Sequence, residues 1–190
     1  MKEAILVTGA SGFIGSHTLL VLLEKDVPVI ALDNFSNSSE QNLNKIKKLA
    51  NKDFPFYEAD VKNFQSLEKI FKENNISSVI HFAGLKSVEE SFTNPLEYYE
   101  NNVQGSLNLI NCMRIHEISN FIFSSSACVY GMSKKVPMRE DLELKPTNPY
   151  GKTKVIVEEI CKDLSKSDKY KFNCINLRYF NPIGAHHSGI

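Results

Sequence analysis

Gly9-Ala-Ser-Gly12-Phe-Ile-Gly15 follows the apolar run Ala4-Ile-Leu-Val7 and opens onto the apolar-rich stretch from Ile14 to Leu23. It reads as strand, glycine turn and helix. Glycines allow a tight turn and a close approach of backbone to a ligand. The helix that follows turns its free N–H groups and positive dipole end toward an anion. The spacing G-x-x-G-x-x-G is near the dinucleotide fingerprint G-x-G-x-x-G without being identical to it, and alone it fits any strand-to-helix turn. Context adds weight: a second apolar run, Val29-Ile-Ala-Leu32, ends in Asp33, about 20 residues on, where the fingerprint places a ribose-binding acid.

Outward from this turn, strand-length apolar runs alternate with helical patterns, the signature of an α/β fold whose parallel sheet is covered on both faces. Leu43, Ile46 and Leu49 mark a helix; Phe54 to Asp60 reads as a third strand; Asn63 caps a helix with Leu67, Ile70 and Phe71 inward; Val79 to Ala83 reads as a fourth strand closed by Gly84. Asn94-Pro95 starts what the periodicity predicts as one long helix to about Met113. Phe121 to Ser126 is a fifth strand ending in three serines. A polar loop, Gly131 to Thr147, precedes a helix from Asn148-Pro149 through Leu164, and Cys174 to Tyr179 is the sixth strand. The expected fold is a Rossmann-type doubly wound parallel sheet.

The chain has 190 residues, 42% of them hydrophobic, with 22 basic and 22 acidic side chains. That is enough for one core, and the balanced charge offers no field to recruit nucleic acid or an anionic membrane. No apolar run approaches the roughly 20 residues of a membrane span and no signal-peptide pattern precedes the first strand, so the cytoplasm is the expected location. Cys112, Cys128, Cys161 and Cys174 lack C-x-x-C spacing and read as packed thiols. Neither His81 nor His186-His187 has partners at ligand spacing, so no metal is expected.

Tyr150 and Lys154 are four apart, hence on one face of a helix. The pair is common on surfaces. Beside a dinucleotide turn and the serines ending the preceding strand, it reads as an acid–base site: an ammonium and an oxidised nicotinamide favour the phenolate, and Ser126 holds the hydroxyl that loses its proton.

These residues, with Thr8-Gly-Ala-Ser-Gly-Phe-Ile-Gly15 and Tyr150-Gly-Lys-Thr-Lys154 in order, resemble the extended short-chain dehydrogenase/reductases. Within them the chain is similar to the UDP-glucose 4-epimerases, through Leu32-Asp-Asn34, His81-Phe-Ala-Gly-Leu-Lys86, Pro95-Leu-Glu-Tyr-Tyr99, Asn101-Asn-Val103, Phe123-Ser-Ser-Ser-Ala-Cys-Val-Tyr-Gly131, Asn148-Pro-Tyr-Gly-Lys152 and Leu177-Arg-Tyr-Phe-Asn-Pro182. The resemblance implies NAD as cofactor, bound by the turn residues Gly9, Gly12, Phe13, Ile14 and Gly15. Asp33 and Asn34 would hold the ribose with Asn37 and Ser38 nearby, and Asp60 and Val61 would flank the adenine. It also implies Phe82, Ala83, Lys86, Asn101 and Ser124 along the cofactor, with Tyr179 and Phe180 closing its nicotinamide side. Ser126, Tyr150 and Lys154 would be catalytic, and Lys86, Ser126, Tyr150 and Asn181 would meet a UDP-glucose or UDP-galactose substrate. Cys128 stands where the family commonly has threonine.

The family's members continue for well over a hundred residues into a smaller substrate domain, expected to be absent here. The implied division is a cofactor domain over 1–180 and the start of a linker over 181–190. The alternatives are a truncated NAD-binding module without turnover, and another nucleotide-sugar epimerase or dehydratase of the same family, the 4,6-dehydratases usually having Thr-Asp-Glu where this chain has Ser124-Ser125-Ser126. The resemblance also implies a homodimer through helices 95–113 and 149–164, with Tyr98, Tyr99, Leu107 and Val155 offering apolar surface.

Overall fold

The computed structural model describes residues 3–188, so the last two residues of the expected linker lie outside the described residues. Its strands are β1 (Ala4–Thr8), β2 (Val29–Asp33), β3 (Phe56–Glu58), β4 (Ile76–His81), β5 (Asn120–Ser126) and β6 (Asn173–Tyr179). They form one parallel sheet in the order β3-β2-β1-β4-β5-β6. That order reverses direction between β1 and β4, and in an open parallel sheet the crevice outside the carboxyl ends at such a switch point is where ligands bind.

Successive strand residues enter opposite cores, as a sheet buried on both faces requires. Leu6, Ile30 and Leu32 pack with Leu109, Met113 and Phe121, whereas Val7 and Ala31 pack with Leu19, Leu20, Leu43 and Ile46. The second core lies under α1 (Phe13–Glu24) and α2 (Glu40–Ala50). The first lies under α3 (Phe64–Glu73), α6 (Gly105–Ile115) and α7 (Pro149–Ser165). Cys112 and Cys161 are buried in it, and all four cysteines are free thiols. Asn63 caps α3 through Ser66 N at 3.0 Å, and Asn148 caps α7 through Gly151 N at 2.7 Å.

Three expectations need correction. The third strand is Phe56–Glu58 rather than Phe54 to Asp60, because Asp60 Oδ1 accepts from Lys62 N at 2.8 Å and turns the chain out of the ladder. The fourth begins at Ile76, since Ser77 and Ser78 extend the ladder without an apolar signal, and it ends at His81. The long helix after Asn94 is two helices, α5 (Pro95–Tyr98) and α6, joined by a π-helical segment over Tyr99–Gln104, and a short α4 (Val88–Thr93) capped by Ser87 precedes them.

His81 is fully buried and stacks near Phe121 and Phe123. Ser106 Oγ donates to Asn102 O at 2.6 Å, so it accepts from His81 Nε2 at 3.0 Å, which leaves Nδ1 to accept from Thr8 Oγ1 at 2.7 Å. Burial above all, then the charge of Lys154, lowers the His81 pKa from 6.5 to about 3 and keeps the ring neutral. The folded value lies below the unfolded one. The stability this neutral ring contributes is therefore fully present above about pH 6.5 and is lost as pH falls toward 3. By this linkage the chain is expected to lose about 2 kcal/mol of unfolding free energy between pH 6.5 and 5 in urea titrations, and His81→Asn should flatten that slope. An unchanged slope in the variant would show that another group carries the dependence.

Candidate active site

Gly9 and Gly15 let β1 and α1 meet more closely than any side chain allows. A Cβ at Gly15 would lie 2.1 Å from Gly9 O, and one at Gly9, whose φ is +66°, would lie 2.6 Å from Ala83 N. No side chain caps α1 and its first turn holds no acid, so its N–H groups open into the crevice with their dipole uncompensated. This cradle, which a Cβ would fill, fits a diphosphate.

At the end of β2, Asp33 is buried with both carboxylate oxygens engaged. Oδ2 accepts from Ser11 N at 2.8 Å, while Oδ1 accepts from Phe35 N and Ser38 Oγ, each at 2.9 Å. A carboxylate has about four lone-pair sites, so Asp33 retains acceptor capacity for a hydroxyl. Ser38 therefore orients Asp33 and does not line the crevice. Asp60 is also set back: it accepts from Asn34 Nδ2 at 3.2 Å while its neighbours Ala59 and Val61 form the wall.

The crevice encloses about 360 Å³. It brings together Gly9, Gly12, Phe13, Ile14, Gly15, Asp33, Asn34, Asn37 and Val61 on one side. On the other are Phe82, Ala83, Lys86, Asn101, Ser124, Ser126, Tyr150, Lys154, Tyr179 and Phe180. Asn181, expected to meet a sugar, is exposed and outside the wall, although Pro182 is in it. Cys128 does line it.

The β5 end places Ser126 beside Tyr150, whose phenol is hydrogen-bonded to it, and the Ser126 hydroxyl also accepts from Cys128 N at 3.2 Å. Gly151 makes this approach possible, since a Cβ there would lie 2.9 Å from Cys128 O. Lys154 is only 5% exposed. Its Nζ donates to Ser124 O at 2.8 Å and sits 4.9 Å from the centre of the Phe123 ring. Burial lowers its pKa from 10.5 to about 8, opposed by the charge of Glu158.

The ammonium does not by itself bring the Tyr150 pKa below its usual value. The protein itself raises it, mainly by burial, with the Ser126 bond opposing. Lys154 stands 5.7 Å from the centre of the phenol ring with one of its three N–H donors on Ser124 O.

The sequence motifs did not include the supporting polar groups. Asn102, buried in the π-helical segment, accepts from Leu85 N at 2.8 Å and donates to Leu85 O at 2.9 Å and to Thr153 Oγ1 at 3.2 Å. It ties the loop after β4 to the helix of Tyr150 and Lys154. Ser125 donates to Glu158, and Arg178 binds both oxygens of that carboxylate. The one available signal was the helical spacing of Tyr150, Lys154 and Glu158, which puts all three on one face.

Among the described residues, no group of three or more His, Cys, Asp or Glu is placed to hold a metal ion, and no helix is long and apolar enough to cross a membrane.

Fold and crevice together define a Rossmann-type dinucleotide-binding α/β protein. Residues 5–189 match the NAD dependent epimerase/dehydratase family, and the chain belongs to it. It is 49% identical over all of its length to a UDP-glucose 4-epimerase of Dictyostelium discoideum, and 52% identical over 98% of its length to that of Haemophilus influenzae. A UDP-glucose 4-epimerase from Bifidobacterium longum, solved in complex with NAD+ and UDP, superposes with a TM-score of 0.94 at 45% identity, covering 98% of this chain and 56% of that one. The chain spans about 55% of the length of the curated relatives it matches.

Proposed function

We propose that this chain carries the NAD site and the reacting side chains of a UDP-glucose 4-epimerase. The observation that supports this best is the meeting of Ser126, Tyr150 and Lys154 with the Gly9–Gly15 cradle and Asp33 in one crevice. The family is NAD-dependent and the similar structure holds NAD+ with UDP.

In this reading the Gly9–Gly15 cradle at the α1 N-terminus would hold the diphosphate of NAD and Asp33 would accept from a ribose hydroxyl. When bound, NAD would supply a reversible hydride acceptor, so that the reaction would have no net redox change. Tyr150 takes the proton from the sugar 4-hydroxyl as the C4–H electron pair leaves, giving a 4-keto sugar, and returns that proton when the hydride is added to the other face. Ser126 donates to the oxygen on which charge develops. Lys154 supplies positive charge beneath the phenol and donors for the ribose. Because burial raises the Tyr150 pKa, the phenolate depends on the nearby positive charges being in place.

Two copies meet, in this proposal, across the helices 95–113 and 149–164. Tyr98 does not serve there: it is fully buried, donates to Glu90 Oε2 at 2.9 Å and packs edge-on to Tyr150. The exposed apolar residues of these helices are Leu96 at 69% and Ile156 of α7, with Phe92 at 61% on the adjoining α4. The chain is expected to sediment as a dimer at micromolar concentration, and a clean monomer would count against this contact.

Asp33 faces a ribose 2′-hydroxyl favourably and a 2′-phosphate unfavourably, and residues 34 to 39 contain no arginine to compensate. Calorimetric titration is expected to show NAD binding at least about tenfold tighter than NADP, corresponding to about 1.4 kcal/mol. Equal affinities would remove Asp33 as the selector.

Tyr150→Phe is expected to leave NAD affinity within a few-fold and to lower epimerisation of UDP-galactose by about 10²- to 10⁴-fold in any form of the protein that turns it over. Near-normal turnover in that variant would overturn the assigned base.

A further inference from the structure

Glu158 lies one helical turn beyond Lys154, is only 4% exposed and is the nearest buried anion on that helix face. Left alone, it would pair with the ammonium. It does not. Arg178, reaching across from β6, places Nη2 2.7 Å from Oε2 and Nε 3.1 Å from Oε1 of the Glu158 carboxylate, a bidentate clasp, while Ser125 Oγ donates to Oε1. Lys154 keeps its Nζ on Ser124 O. Arg178 is fixed in turn by Tyr130 Oη at 2.9 Å and Glu140 O at 3.0 Å.

We propose that Glu158 and Arg178 are positioning residues for Lys154: Arg178 occupies both oxygens of the carboxylate, so this buried anion acts on the ammonium from one turn away without drawing it off Ser124 and out of the crevice. Among the described residues, the other groups facing Lys154 are the Tyr150 phenol on its own helix, neutral His81 on β4, Gly84 in the loop after β4, and the Ser124 carbonyl and Phe123 ring on β5. None of these is an anion, so Glu158 alone supplies negative charge from the neighbouring elements. Its field opposes the desolvation that would otherwise discharge the lysine.

This inference rests on Lys154 being one of the reacting groups. Its test needs no turnover, so it can fail while the epimerase reading stands, and NAD binding can fail while it stands. The lysine ε-methylene resonances of the chain are titrated by NMR, with Lys154→Met supplying the assignment. In the unaltered chain Lys154 is expected to titrate well below the other lysines; titration at or above their range would mean that it already pairs with Glu158 and would overturn the proposal. Arg178→Met frees the carboxylate, and the Lys154 midpoint is expected to rise by about one pH unit or more. Glu158→Gln keeps an acceptor for Ser125 but removes the charge, and the midpoint is expected to fall. The double variant E158Q/R178M removes a charge of each sign and should bring the midpoint back to within about half a unit of the original. A purely structural tie between α7, β5 and β6 predicts the same Lys154 midpoint in every variant that folds, and that result would overturn the proposal. If one single variant does not fold, the other decides, because a Lys154 midpoint unmoved in Glu158→Gln or in Arg178→Met would overturn the proposal, as would a double variant displaced by a full unit in either direction.

Discussion

The contact between Gly15 and the Gly9 carbonyl is the constraint on which the rest of the structure depends. With no Cβ in the way, α1 starts directly against the end of β1 and aims its N-terminus at the sheet's carboxyl edge. The same approach fixes how near β1 can come to Ala83 at the end of β4, and thus the width of the crevice at the switch point. Everything that lines the opposite wall, from the β4 loop to the β5 serines, is placed relative to that gap.

The second requirement is to bury a cation near a phenol without neutralising it. A surface lysine would be screened and mobile, and a lysine paired with a carboxylate would lend little field to anything else. Lys154 avoids both outcomes by donating to a backbone carbonyl, which is polar but uncharged, while the nearby carboxylate is taken up by a guanidinium whose planar fork matches it. Removing one member of the ion pair alone would leave a buried charge uncompensated and change the field at the crevice.

Much of the fold was legible because buried parallel strands are nearly continuous apolar runs and the glycine turn lies between two of them, the second ending in Asp33. The strand at Ile76 was legible only in its second half, since Ser77 and Ser78 enter the ladder with no hydrophobic signature. The helix after Pro95 carried a helical pattern throughout, yet periodicity cannot register the single extra residue that turns 99–104 into π geometry and sends Asn102 inward. At the site, Asp33, Tyr150 and Lys154 were legible because a motif and the topology agreed on where they sit. Ser38, Asp60 and Asn181 share the same stretches but stand off the crevice wall, a distinction that sequence proximity does not carry. The Glu158–Arg178 pair joins a helix to a strand 20 residues later, and nothing in the spacing announces it.

The hydrogen bonds around His81 run in one direction only. Ala83 N donates to Thr8 Oγ1 at 3.4 Å, Thr8 to the ring, the ring to Ser106, and Ser106 to the Asn102 carbonyl. An amide that can only donate stands at one end and a carbonyl that can only accept stands at the other, so no hydroxyl along the row can turn round without stranding a neighbour. The row is therefore an insulator: it polarises and stiffens the sheet behind the crevice but cannot conduct. No proton can be relayed behind the crevice wall along these bonds.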